Sequence, residues 1–134
     1  MPTVDEQIAA FLDDSPFAVV GASTDRAKYG NKVLRCYQQN DRTVFPVHPK
    51  EAEIEGLAAY PSLHDLPETP HGISIITPPP VTAKVVAEAI ELGIEHVWMQ
   101  PGAEGDEALA VAEAAGLTPI AGGPCLLVVL GYRE

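Results

Sequence analysis

Five short runs of apolar residues lie along the chain, and each has the length of a strand that is buried on both faces of a sheet. We predict strands over residues 17–20, 43–47, 72–76, 96–99 and 117–121. The segments before and between them carry apolar side chains at helical spacing, and several end near glycine or proline. We predict helices over residues 4–13, 31–39, 81–92 and 104–115. Strand and helix therefore alternate along most of the chain.

This alternation repeats about every 25 residues, which is typical of a parallel sheet covered by helices on both faces. Right-handed crossovers then predict a doubly wound α/β fold. We expect one domain over residues 1–134, with its core at about 15–125. In strand order 3-2-1-4-5, with the short strand expected near residues 57–59 counted as the third, ligands bind beyond the carboxyl ends of the strands, where the winding reverses between strands 1 and 4. That crevice would lie between the strands that end at Val20 and at Ile76.

Two stretches carry weaker patterns. A short strand is expected near residues 57–59, and one helical turn over 61–67, between prolines. After Gly122-Gly123-Pro124 an apolar tail runs over residues 126–130. One hypothesis is therefore an interaction subunit, in which this tail docks on a partner or on a second copy, giving a homodimer or a larger complex.

The first predicted strand leads into a loop of small residues, and the next helix is expected to start after Gly30. Gly21, Ala22 and Ser23 would let a ligand approach the backbone closely. Unpaired N–H groups at such a turn, together with the helix dipole, favour a phosphate. The alternative is an ordinary strand-to-helix turn that binds nothing.

The distribution of charge favours the phosphate interpretation. The net charge of −11 argues against bulk nucleic-acid binding, which needs a basic face. Six of the eight Lys and Arg residues lie between Arg26 and Lys50, where Asp41 is the one acidic residue, so this segment carries +5. A locally positive segment suits a small anion with several phosphates. A solvated helix face is the alternative.

The composition points to a globular cytoplasmic protein. No apolar run approaches the roughly 20 residues of a membrane span, so we expect no membrane partner. The acidic first six residues lack the layout of a signal peptide. Cys36 and Cys125 are too few for a disulfide framework, so we expect reduced thiols.

A dinucleotide is the first ligand to consider. The NAD fingerprint requires G-x-G-x-x-G and an acidic residue about 20 positions later. Here Ser23 replaces the second glycine, Gly30 is far downstream, and the second strand ends in Val47-His48-Pro49-Lys50. A cation at that place favours an extra phosphate over a bare ribose. Both departures count against NAD and neither counts against CoA, while an NADP-type oxidoreductase fragment stays as the alternative.

Several motifs, taken together, resemble those of the small bacterial and archaeal CoA-binding proteins. The motifs are Val19-Val20-Gly21-Ala22-Ser23, Phe45-Pro46-Val47-His48-Pro49-Lys50, Ile54-Glu55-Gly56, Tyr60-Pro61-Ser62-Leu63 and Val97-Trp98-Met99-Gln100-Pro101-Gly102. These proteins are stand-alone versions of the Rossmann-like CoA-binding domain of the succinyl-CoA synthetase α-subunit. The resemblance covers residues 17–125. It implies a nucleotide-binding domain whose ligand is coenzyme A or an acyl-CoA.

The resemblance also implies a set of binding residues. The phosphates would be held by Gly21, Ala22, Ser23, Thr24, Lys28, Tyr29, Gly30 and Asn31. The adenine and ribose would be bordered by Val47, His48, Pro49 and Lys50. The opposite wall would be formed by Thr77, Pro78, Pro79 and Val81. Gln100 and Pro101 would lie near the pantetheine arm.

Three features depart from the family pattern. His48 stands where the family usually has Asn, and Thr77-Pro78-Pro79-Pro80 replaces the usual Arg-x-Pro-Glu. The family ending, Asp-Arg-Cys followed by Glu-His, is here Gly123-Pro124-Cys125 with Val129-Leu130. These departures bear on the ribose contact expected at His48, on the turn that forms the opposite wall and on the role of the tail.

The sequence names no catalytic group and no metal site. Its four histidines show no pair at metal-ligand spacing: His48, His64, His71 and His96. Cys125 follows the last predicted strand, where it would either meet a CoA thiol as a mixed disulfide or fill a small buried space. Cys36, on a helix, is expected to be structural. We therefore expect binding without catalysis.

Overall fold

The computed structural model describes residues 3–133, so the predicted domain limits at residues 1 and 134 lie outside the described part. Its strands are β1 (Phe17–Val20), β2 (Val44–Val47), β3 (Glu53–Ile54), β4 (Leu57–Ala58), β5 (Gly72–Ile75) and β6 (His96–Met99). Its helices are α1 (Val4–Leu12), α2 (Tyr29–Gln39), α3 (Pro79–Glu91), α4 (Asp106–Ala114) and α5 (Leu126–Leu130), with a 3₁₀ turn over Leu63–Asp65. The predicted α/β alternation is confirmed.

The main sheet is parallel and has the order β2-β1-β5-β6. The winding therefore reverses between β1 and β5, as the sequence predicts. Single parallel bridges extend the sheet on both sides, at Tyr60 beside Val47 and at Ile120 beside Trp98. The strand predicted over residues 117–121 is thus reduced to Ile120. Pro119 has no N–H to donate, and Gly122, at φ 83°, turns the chain away.

The sheet is buried on both faces because most residues of its strands are apolar and pack into two core layers. The hydroxyl of Ser74, a buried polar residue of β5, pairs with that of Tyr37 at 2.7 Å. Phe17 and Val19 of β1 face one layer and Ala18 and Val20 face the other. Helices α3 and α4 cover the second layer, whereas α1, α2 and α5 cover the first. The first layer holds an aromatic cluster in which Phe17 stacks on Tyr37, with ring centroids 4.9 Å apart.

Some helix boundaries differ from the predictions. Helix α2 begins at Tyr29 and α3 at Pro79, each two residues early. Proline suits the first turn of a helix, where its missing N–H would have no partner.

Among residues 3–133, no helix is both long enough and apolar enough to cross a membrane.

The apolar tail forms α5, which packs on α2 of its own domain. Leu126 is fully buried, and Leu127 and Leu130 pack against the same core layer. Val128 is 81% exposed and Val129 40%. Part of the tail proposed for docking is therefore used inside the fold.

Candidate functional site

The loop after β1 is held by close backbone contacts that only glycine permits. Gly21 has φ 96°, and a Cβ atom there would lie 2.1 Å from the carbonyl oxygen of Ile76. A Cβ atom on Gly30 would lie 2.0 Å from the carbonyl oxygen of Gly21. Gly30 thus provides the close helix–strand approach that the last glycine of the dinucleotide fingerprint provides. Its distance from Gly21 in the sequence hides this role.

The second half of this loop is paired internally. The backbone N–H of Asp25 donates to the Ser23 hydroxyl at 3.0 Å, and that of Ala27 to the Asp25 carboxylate at 3.0 Å. The Lys28 N–H donates to the Asp25 carbonyl at 3.0 Å. These bonds fold residues 23–28 into a compact turn, which sets the start of α2.

The first half of the loop keeps its donors available. Within residues 3–133, we find no hydrogen-bond partner for the backbone N–H groups of Ala22, Ser23 and Thr24. The same is true of Tyr29 and Gly30, in the first turn of α2. The positive end of the helix dipole lies at the same place. This corner is therefore equipped to bind an anion.

Asn31 supports the loop from behind, because its side chain is fully buried. Its Nδ2 donates to the Ser23 carbonyl at 2.8 Å and to Oε2 of Glu55 at 3.0 Å. Its Oδ1 accepts from Nε of Arg35 at 2.6 Å, and Arg35 also donates to the Arg26 carbonyl at 3.0 Å. All the hydrogen bonds described for the Asn31 side chain are therefore made within the protein. Its role at the site is to hold the loop in place.

The opposite wall, after β5, is apolar. Pro79 and Pro80 have no N–H, and the Val81 N–H donates to the Pro78 carbonyl at 2.9 Å. The Thr77 hydroxyl pairs with that of Thr82 at 2.7 Å. Val81 is 42% exposed. The start of α3 therefore lacks the donors that α2 offers.

The third side of the crevice follows β2. Val47 is buried, whereas Pro49 and Lys50 are exposed. The His48 N–H donates to the Tyr60 carbonyl at 2.9 Å. Nδ1 of His48 accepts from the N–H groups of Lys50 and Glu51 at 3.0 and 3.1 Å, which leaves Nε2 as the ring nitrogen that can donate. The imidazole that replaces the family's Asn thus shapes its own loop.

Gln100 links three distant parts of the chain beneath the crevice. It is fully buried, and its Oε1 accepts from the Tyr29 hydroxyl at 3.1 Å and from the Leu126 N–H at 2.9 Å. The Tyr29 hydroxyl also lies 2.7 Å from Sγ of Cys125. Burial, followed by this bond to Cys125, raises the pKa of Tyr29. Pro101 is exposed beside this cluster. Nothing in the sequence pattern pointed to the Tyr29–Gln100–Cys125 contacts.

The predicted basic segment is only partly available. Arg26 pairs with Glu55 at 3.4 Å, Arg35 bonds Asn31, and Arg42 donates to the Leu12 carbonyl at 2.7 Å. Two other members are exposed and have no ion-pair partner within residues 3–133: Lys28 and Lys50. Lys28 is the N-cap residue of α2, and Lys50 lies three residues after the end of β2.

Three of the histidines lie away from the crevice. His64 contacts the carboxylates of Glu88 and Glu91 on α3. His71 and His96 lie at the amino ends of β5 and β6, with ring centroids 4.4 Å apart. Burial and the neighbouring His71 lower the pKa of His96. Residues 3–133 contain no group of three His, Cys, Asp or Glu side chains that could hold a metal ion.

Comparison with known proteins identifies the family. A family described as the CoA binding domain matches residues 15–131. The chain is 32% identical over 119 residues to acetate–CoA ligase (ADP-forming) I of Archaeoglobus fulgidus. That match covers 81% of this chain and 17% of the ligase, so the chain spans less than a fifth of this curated relative.

Solved structures support the same family assignment. A conserved hypothetical protein of Pyrococcus furiosus superposes with a TM-score of 0.82 at 40% identity, over 87% of this chain and 99% of that one. Acetyl-coenzyme A synthetase 1 (dinucleotide forming) of Ca. Korarchaeum cryptofilum, solved with phosphate and ADP, gives a TM-score of 0.70 at 26% identity. It is covered over 25% of its length, and this chain over 78%. The predicted resemblance is confirmed: the chain belongs to the CoA-binding domain family and is homologous to the corresponding part of ADP-forming acetate–CoA ligase.

Proposed function

We propose that this domain binds coenzyme A or an acyl-CoA in the crevice between the loop after β1 and the turn after β5. The observation that carries the proposal is the row of unpaired N–H groups at Ala22, Ser23 and Thr24, at the positive end of α2. A diphosphate bound there would accept from several backbone donors at once. The exposed ammonium of Lys28 lies at the N-cap of the same helix.

The remaining walls would receive the other parts of the ligand. Val47, His48 and Pro49 would border the adenine and ribose, with Lys50 available for the phosphate on the ribose. The apolar turn of Thr77, Pro78, Pro79 and Val81 would form the facing wall. Pro101 would lie beside the pantetheine arm, while buried Gln100 would hold Tyr29 in place beneath it.

We assign no catalysis to the domain by itself. The ligase to which it is similar is several times longer, so most of that enzyme lies outside the match. Within the crevice we find no hydrogen-bonded nucleophile–base pair among the described residues. The free cysteines suit a reducing compartment, so we place the domain in the cytoplasm.

Calorimetric titration with CoA, acetyl-CoA, NADPH and ATP tests this function. We expect CoA or acetyl-CoA to bind more tightly than NADPH and ATP. The NADP-type alternative would be favoured instead if NADPH bound and neither CoA nor acetyl-CoA did. Mass spectrometry of small molecules released from the purified protein by mild denaturation would distinguish free CoA from an acyl-CoA as the ligand carried from the cell.

A further inference from the structure

Glu55 occupies a turn that does not suit its side chain. It and Gly56 form the two-residue connection between β3 and β4, and their φ angles are 51° and 79°. Two positive φ angles are typical of a type I′ turn, in which Asn, Asp or Gly is preferred at the first position. A glutamate in the left-handed region is strained, so the turn alone does not explain this residue.

The contacts of the Glu55 side chain provide the explanation. The side chain is 20% exposed, and its Oε2 accepts from Nδ2 of the fully buried Asn31 at 3.0 Å. The same oxygen lies 3.4 Å from Nε of Arg26, whose side chain is 66% exposed. An exposed ion pair contributes little, so the bond to Asn31 is the more important contact.

The bond to Asn31 reaches the anion-binding corner through one peptide group. Nδ2 of Asn31 also donates to the Ser23 carbonyl at 2.8 Å. In a planar trans peptide, the carbonyl of one residue and the N–H of the next point in opposite directions. Because the Ser23 carbonyl points in towards the Asn31 side chain, the Thr24 N–H points the opposite way, away from that side chain. Glu55 and Arg35 together fix which end of the Asn31 amide faces Ser23.

We propose that Glu55 is a positioning residue for the phosphate-binding loop: through Asn31 it holds the Ser23–Thr24 peptide with its N–H directed at the ligand. The inference rests on the proposed CoA-binding function. It assigns a role to the hairpin β3–β4, which lies outside the crevice as the sequence predicts it. The strained backbone at Glu55 is tolerated because its side chain makes the hydrogen bond to Asn31 of α2.

Three variants separate positioning from charge and from folding. Glu55→Asn suits the type I′ turn, yet its shorter side chain does not reach Asn31. Glu55→Gln removes the charge but keeps an acceptor oxygen at the same length. Glu53→Ala removes an exposed carboxylate from the same hairpin and serves as the matched control.

We expect Glu55→Asn to weaken CoA binding about tenfold, because the Thr24 N–H would no longer be held in place to donate to the phosphate, and tenfold corresponds to about one such hydrogen bond. Glu55→Gln and Glu53→Ala should bind within about twofold of wild type, since neither loses that bond. The melting temperature of Glu55→Asn should stay near that of wild type, because Asn relieves the strain of the turn. The ¹⁵N-edited spectrum of free Glu55→Asn should show a shifted Thr24 amide, which Glu55→Gln restores.

Calorimetric titration of CoA into wild type and the three variants tests the positioning role of Glu55. If wild type binds CoA and Glu55→Asn binds it equally well, the inference is wrong while the proposed function stands. Equal weakening in Glu55→Gln would also overturn it, because charge and not position would then matter. Absence of CoA binding by wild type would remove the proposed function, and this inference with it.

Discussion

Gly30 packs against the carbonyl oxygen of Gly21 so closely that a Cβ atom on Gly30 would lie 2.0 Å from that oxygen. This contact joins the first turn of α2 to the end of β1. It therefore sets the distance between the free N–H groups of the loop and those of the helix. The spacing of donors in the proposed phosphate site depends on it.

Replacing Gly30 should damage both the fold and the site. Gly30→Ala forces the loop and α2 apart, and we expect a loss of about 1–3 kcal/mol in the free energy of unfolding. CoA binding should be lost, because the two sets of donors no longer converge. Urea unfolding and calorimetry measure the two effects.

Gly116→Ala is the matched control for that substitution. Gly116 has φ 81° and open space around its Cβ position, so the change introduces backbone strain of about 1–2 kcal/mol without a clash. Its affinity for CoA should equal that of wild type. If Gly30→Ala also bound CoA as wild type does, the contact with Gly21 would have no role in the site.

Lys28 should contribute directly to phosphate binding. Its side chain is exposed at the N-cap of α2, and we expect Lys28→Ala to weaken CoA binding by about 1–2 kcal/mol. The loss should shrink at high salt, because the contact is between charges. Lys84→Ala, on an exposed face of α3, is the control and should leave the affinity unchanged. Equal affinities for Lys28→Ala and wild type would exclude Lys28 from the site.

The two cysteines should differ in reactivity. Burial, with a smaller effect from Cys125, raises the pKa of the Cys36 thiol to about 11, and Cys36 is fully buried. At pH 8 only about one Cys36 thiol in a thousand would be ionised, and the thiolate is the reactive form. Iodoacetamide should therefore modify half-buried Cys125 first and reach Cys36 only on unfolding. Peptide mass spectrometry that found Cys36 modified first in the folded protein would contradict this.

The stability of the protein should depend on His96 between neutral and mildly acidic pH. Burial and His71 lower the folded-state pKa of His96, so below about pH 6.5 the unfolded chain binds a proton that the folded chain resists. Stability from this residue is complete above the unfolded pKa and is lost as the pH falls towards the folded one. His96→Asn should show a smaller drop in Tm than wild type between about pH 7.5 and 5.5. Identical drops would show that His96 does not contribute.

The sequence predicts the sheet well, because its strands are apolar runs with clear ends. Strands β1 and β6 have the predicted limits, since Pro16 and the turn after Met99 mark them. The strand predicted over residues 117–121 is wrong in extent, because Pro119 and Gly122 interrupt its ladder. The role of Gly30 was also hidden, because the compact turn of residues 23–28 brings it back to Gly21.

Contacts between distant residues could not be predicted from local patterns. Asn31 meets Glu55 across 24 positions, and Tyr29 meets Cys125 across 96. Each pair depends on how α2 packs against other elements. No regular spacing of residue types along the chain indicates that packing. These pairs support the loop from behind, and the loop itself was evident from its small residues.

The most direct test of the account is a ¹⁵N-edited titration of the wild-type domain with CoA. The amide resonances of Ala22, Ser23, Thr24, Tyr29 and Gly30 should move more than those of the rest of the chain and saturate together. If CoA bound and these five amides stayed in place while others moved, the diphosphate would lie elsewhere, and the central claim would be contradicted.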